Sequence, residues 1–168
     1  MSKEGQNVAA HISKKYGTTL EQQRASKRNM TEVGAGLGFK FDCFDGMRMV
    51  NSFDAHILLE YACTFDKQTK LTMRFATAFF SERKDVSNRD VLKQALLAVG
   101  LNVEKGIAKL ENETARNKIR TKQAYWKNLG VNSLPTIIFN RKSAVTGAQP
   151  GATFKKILSK LIAEKLSF

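Results

Sequence analysis

Proline is almost missing from this chain, and cysteine is equally scarce. Of 168 residues only Pro135 and Pro150 are proline, and only Cys43 and Cys63 are cysteine. No CxxC pair occurs, and the two histidines, His11 and His56, stand at no zinc-finger spacing from either thiol. These absences exclude a disulfide-rich scaffold and a structural zinc site, and no metal or cofactor is called for. No apolar run approaches the roughly 18 residues that a membrane helix needs. The opening MSKEGQNVAAHISKKYG lacks the apolar core of a secretory signal. A soluble cytoplasmic protein with no membrane partner is therefore expected. In that setting isolated cysteines read as small buried hydrophobes. A Cys43–Cys63 disulfide and a lone nucleophile are the weaker alternatives.

Acidic residues are also under-represented: 15 Asp and Glu face 28 Lys and Arg, a formal charge of +13. From Glu111 onward there are 11 basic and 3 acidic residues, so this third alone carries +8. Such a footprint could attract nucleic acid, an anionic membrane or an acidic protein. Its distribution speaks against nucleic acid. Arg116, Lys118, Arg120 and Lys122 recur at every second position, which scatters them around a helix, and no aromatic ladder is interleaved. Nothing in the sequence specifies an oligomeric state. The balance of 42% hydrophobic and 26% charged residues is that of a single globular domain, with or without an insertion.

Helical periodicity fills the first three quarters. Asn7 to Tyr16 reads as a short helix stopped by Gly17. Thr18 and Glu21 make a capping box for a polar helix running to about Val33, which Gly34, Gly36 and Gly38 should break. Phe39 and Phe41 alternate with polar neighbours as a short extended segment near 39–42. The GxGxG before them follows a helix and opens none, so it is no dinucleotide fingerprint. Further helices are expected over Asn51–Cys63 (apolar stripe Ala55, Leu58, Leu59, Ala62) and Leu71–Phe80. Ser87 caps another beginning near Asn88 and stopped by Gly100. Asn102–Leu110 and Asn112–Leu129 follow, with Trp126 and Tyr125 expected in the core or under the loop that comes next.

Gly130 to Phe154 differs in kind. A turn-rich stretch leads to Pro135 and the apolar run Thr136–Phe139. Asn140–Lys142 then turns into a second strand over Ser143–Thr146, and Pro150 opens a helix from about Gly151 to Lys165. Phe154, Ile157, Leu158, Leu161 and Ile162 are its expected buried face. The organisation is thus a helical region over 1–129 and a ββα unit over 130–168.

Three blocks in this order resemble a known family. They are Asn51–His56 followed by Leu58 and Ala62; FATAFF (75–80) with DVSNRDVL (85–92); and Gly130-Val131, Leu134-Pro135-Thr136 and SAVTGAQP (143–150). Together they resemble the FrnE-like members of the DsbA branch of the thioredoxin superfamily, relatives of the 2-hydroxychromene-2-carboxylate isomerases. The resemblance implies an α/β thioredoxin-like fold with a large helical insertion and a C-terminal ββα. It implies thiol–disulfide oxidoreduction on protein or small-thiol substrates. It also implies a cis Leu134–Pro135 bond, with Leu134, Pro135 and Thr136 forming the substrate-facing loop and His56 and Gln149 in supporting places. Read without the resemblance, His56 is a helix residue bonded to a backbone carbonyl and Gln149 a turn residue.

Family members start with a strand, a CxxC at a helix N-terminus and a second strand, which precede the insertion. The present sequence starts near the end of that second strand, around Glu4–Gly5, and so reads as N-terminally truncated, by a misplaced or shortened gene start. It holds no catalytic residue of its own by this reading. Cys43 lies in a turn and Cys63 ends a helix, where the dipole disfavours a thiolate. Two further readings accompany the oxidoreductase: a non-catalytic peptide-binding remnant, and a glutathione-linked isomerase relative.

Overall fold

In a computed structural model, which describes residues 6–166, the helix signals of the sequence are met almost one for one. A two-residue strand β1 (Gln6–Asn7) leads into α1 (Val8–Tyr16), capped by Asn7 and closed by Gly17 at φ 67°. Helix α2 (Leu20–Gly36) has a complete capping box, but its partners are Thr19 and Gln22, one residue beyond the Thr18–Glu21 pair expected. Gln22 accepts from the Thr19 N–H as well as a glutamate would. Gly34 and Gly36 do not break α2. Residues 39–44 are irregular, and the strand that does form is β2 (Arg48–Met49), antiparallel to β1 with Gln6 opposite Met49 and Asn7 opposite Arg48.

Helices α3 (Phe53–Cys63), α4 (Gln68–Phe80), α5 (Arg89–Ala98) and α6 (Val103–Leu110) follow. Asn88, Asn102 and Asn112 each cap a helix start, accepting from Asp90, Lys105 and Ala115 N–H groups. Ser87 is not the cap of α5, because its N–H and hydroxyl both donate to Asp85. Helix α3 packs on α4 and α6, and α5 on α4 and α6, so the four close around one core. Ile57, Leu58, Leu71, Leu92, Leu96 and Leu110 are its largest fully buried side chains. Each is worth about 1.5–3 kcal/mol of apolar burial. Gly106 permits the α5–α6 approach, since a Cβ there would lie 2.7 Å from Leu96 Cδ1. Helix α7 (Glu113–Asn128) joins this core through Ile119. Arg116 Nη1 donates to Asp54 (3.1 Å) and to the Leu110 carbonyl (2.8 Å), and Lys118 pairs with Glu60 at 2.7 Å.

The chain divides into two compact units, Met1–Ile119 and Arg120–Phe168. The second contains the end of α7, the antiparallel hairpin β3 (Thr136–Phe139) and β4 (Ser143–Thr146), and α8 (Gly151–Leu166). The two strands expected from the sequence are present with their bounds, and the helix after them starts at Gly151 as expected and runs to Leu166. The expected burial is not found. Among the described residues of this unit none is buried. Of the face expected to be inside, Leu158 and Ile162 are 49% and 59% exposed, and Tyr125 and Trp126 are exposed as well. The expected strand end near Glu4–Gly5 lies outside the described residues.

Candidate functional site

Glycine and proline punctuate the loop before β3. Gly130, at φ 82°, ends α7 in a Schellman arrangement: its N–H donates to the Lys127 carbonyl (3.0 Å) and that of Val131 to the Trp126 carbonyl (3.1 Å). The Leu134–Pro135 peptide bond is cis. Thr136 Oγ1 donates to the Ser133 carbonyl at 2.6 Å, which ties the loop to the start of the strand. The Pro135 carbonyl accepts from Gly147 N–H at 2.8 Å, beyond the far end of β4. Pairing then runs Thr136 to Thr146, Ile137 to Val145, Ile138 to Ala144 and Phe139 to Ser143. Asn140 and Arg141, both at positive φ, reverse the chain.

The register decides which backbone groups remain open. The carbonyls of Pro135 and Phe139 are both taken on the β4 side, the latter by Lys142 N–H at 3.0 Å. By strand alternation the N–H and C=O groups of Thr136 and Ile138 face the opposite edge. Among the described residues no strand pairs with that edge. Leu134, 88% exposed, stands at its mouth. The loop thus offers an apolar side chain and a row of free backbone groups to an extended chain. Ile138 belongs to this surface, although the sequence reading named Leu134, Pro135 and Thr136 alone. Strand alternation was the signal that would have found it.

Gln149 Nε2 donates to the Thr146 carbonyl at 3.3 Å, closing the turn from β4 into α8. Behind the hairpin, the Phe139 and Phe154 rings stand 6.4 Å apart. This unit has nine Lys and Arg against one acidic residue, Glu164. His56 belongs to the first unit, at the start of α3. Its ring is exposed and makes no hydrogen bond, so the expected bond to a backbone carbonyl is absent.

Neither thiol is built for attack. Both cysteines are free. Cys43 sits half-buried in the irregular stretch after α2, and that burial pushes its thiol pKa up. Lys27 opposes the shift and Asp42 adds to it. Cys63, the last residue of α3, is exposed rather than buried, at the negative end of the helix. Among the described residues no group of three or more His, Cys, Asp or Glu could hold a metal, and no helix is long and apolar enough to cross a membrane.

Comparison with known proteins agrees with this geometry. A family model described as "DSBA-like thioredoxin domain" matches residues 3–159. The fold superposes on a candidate DsbA oxidoreductase from Streptomyces coelicolor with a TM-score of 0.82 and 26% identity, over 95% of this chain and 68% of that one. A candidate protein disulfide isomerase from Nitrosomonas europaea shares the fold at a TM-score of 0.66 and 12% identity, over 94% and 89% of the two chains. No curated protein sequence matches the chain. The architecture is therefore a thioredoxin-like DsbA fold, rich in helix.

Proposed function

The chain belongs to the DsbA-like thioredoxin domain family, and from that premise we propose that it serves thiol–disulfide exchange by presenting the substrate-facing loop. Leu134, Pro135 and Thr136, with the outer edge of β3, take up an extended segment of a protein or a small-thiol substrate. In exchange, a thiolate attacks one sulfur of a disulfide and the other sulfur leaves as a thiolate. The attacking pair comes from outside residues 1–168, since no CxxC lies within them and burial pushes the Cys43 thiol up. Placement in the FrnE-like branch is supported by the Asn51–His56 and SAVTGAQP blocks. A cytoplasmic setting is supported by the sparse, unpaired cysteines.

The observation that carries the proposal is the unpaired β3 edge beside the exposed Leu134. It equally favours a second reading, peptide capture without catalysis, and two assays separate the roles. Fluorescence anisotropy with an extended cysteine-containing peptide should show binding that weakens roughly tenfold in Leu134→Asp, as for loss of a central apolar anchor. Equal affinity would refute the role of the loop. Insulin reduction by these 168 residues should not exceed the dithiothreitol background. Activity that vanishes when Cys43 and Cys63 are both replaced by serine would show that the reactive thiols lie inside the chain after all.

A further inference from the structure

Charge is distributed unevenly along the open edge of β3. From Gly130 to Asn140 the chain has no charged residue, and the side chain at the entry to the strand is Leu134, 88% exposed. The far end of the strand is different. The hairpin turn there has Arg141 and Lys142 in succession, both exposed. Asn140 and Arg141, at φ 49° and 57°, form this turn, and the Lys142 N–H donates to the Phe139 carbonyl at 3.0 Å, which holds it against the last residue of β3. Helix α8 brings a second pair of cations to the same end. Phe154, in its first turn, sets its ring 6.4 Å from that of Phe139, and the next two residues are Lys155 and Lys156, again exposed. Among the described residues none of these four cations is held in an ion pair. The one acidic residue of this unit, Glu164, stands ten positions beyond Phe154, about 15 Å along the helix axis.

Exposed cations without a counter-charge set up a positive potential that reaches about 8 Å at physiological ionic strength. A chain laid along the edge advances about 3.3 Å per residue, so a segment of about six or seven residues reaches from Leu134 to the turn. One end of that segment meets an apolar side chain and the other meets the cations. Resting on the reading of this edge as the one that takes up an extended segment, we propose that its preferred partner is an acidic peptide stretch of fixed polarity. An apolar residue lies at Leu134, and two or more Asp or Glu lie about six positions away, against Arg141, Lys142, Lys155 and Lys156. A second copy of the chain is the poorer occupant, because it would set the nine Lys and Arg of this unit against nine more.

Fluorescein-labelled peptides without cysteine test it by anisotropy on the full chain at low ionic strength. The probes are DDSTVTL, its reverse LTVTSDD, STVTDDL with the acids beside leucine, and uncharged SSSTVTL. The better of the first two, according to the chain direction the edge accepts, should bind about fivefold tighter than STVTDDL, which has the same charge. The factor is modest because exposed ion pairs are individually weak, and it should fade in about 0.3 M salt. Combining Arg141→Asn, which suits a positive φ, with Lys142→Gln should bring the ratio towards one. Equal affinity of all four probes, or a ratio that the double variant leaves unchanged, would overturn the proposal and leave the edge as a binding surface. Failure of every probe to bind would instead overturn the edge reading, and the proposal with it. Two further results would overturn the proposal by giving the surface to another occupant. One is sedimentation with phosphatidylserine vesicles that needs Arg141 and Lys142, without discrimination among the peptides. The other is a dimer in sedimentation velocity that Leu134→Asp dissociates.

Discussion

Two glycines two residues apart in α2 should respond oppositely to one added methyl group. A Cβ on Gly34 would lie 2.4 Å from Phe41 Cδ2 and 2.8 Å from the Phe39 carbonyl oxygen. Neither neighbour can withdraw easily. Phe39 N–H donates to the Gly34 carbonyl at 2.8 Å, and the Phe41 ring is held between Phe39 (4.6 Å) and Phe80 (5.4 Å). Forcing a methyl group into such packing costs about 2–3 kcal/mol. Replacing a helical glycine by alanine returns about 1 kcal/mol. Gly34→Ala is thus expected to destabilise by about 1–2 kcal/mol. At Gly36 nothing lies within 4 Å, so only the backbone gain remains. That gain is about 0.5 kcal/mol at a helix end. The gap of about 2 kcal/mol, divided by a urea slope of about 2 kcal/mol/M, separates the midpoints by about 1 M. Far-UV circular dichroism of the two variants and the parent in urea measures it directly. Coincident midpoints, or Gly34→Ala as the more stable, would refute the claim that α2 and the 39–41 stretch are locked together here.

Glu82 accepts from Arg74 and pairs with Lys84, and these contacts lower its pKa from 4.5 to about 2. The depressed folded value means that the stabilisation is complete above about 4.5 and is lost as pH falls towards 2. The whole displacement would be worth about 3 kcal/mol, which water around a one-third-exposed side chain screens to about 1 kcal/mol. Glu82→Gln should lose that amount at neutral pH and flatten the acid limb of a stability–pH curve. An unchanged acid limb would dismiss the pairing as a stabilising one. Exposed Cys63 should react with iodoacetamide several-fold faster than Cys43 at neutral pH, as read by peptide mass spectrometry; the reverse order would contradict the effect of burial on Cys43. Ile138→Pro removes an outward N–H, so the hairpin should persist by NMR while peptide binding at the β3 edge is lost. Retained binding would show that the edge is not used.

The helix boundaries were legible because their signals are local. Asn102 and Asn112 cap helices where the sequence places them, and Gly17, Gly100 and Gly130 take the left-handed conformations that close three helices. The errors come from competition between neighbours. Thr18 and Thr19 are both able caps, with Glu21 and Gln22 both able partners, and the pattern alone does not choose. The α8 stripe shows which residues share a face but not whether anything lies against that face, so Leu158 and Ile162 were expected inside. The proline loop could be read from sequence because Pro135 and Pro150 restrict the backbone while Gly130 permits a left-handed conformation that few residues adopt. The apolar pocket of about 630 Å³ among α1, α2, α3 and α4 could not. Its lining comes from segments between Val8 and Val86 whose meeting only the packing shows, and α2, which supplies Gln23 and Met30 to it, reads as a polar helix with sparse apolar positions.

The contrast between the two units has a consequence for hydrogen exchange. None of the described residues of the second unit is buried, whereas α3 to α6 close around Ile57, Leu58, Leu71, Leu92, Leu96 and Leu110. Few buried apolar contacts oppose local opening of the second unit, so its amide hydrogens should exchange with solvent far sooner than those of the first unit's core.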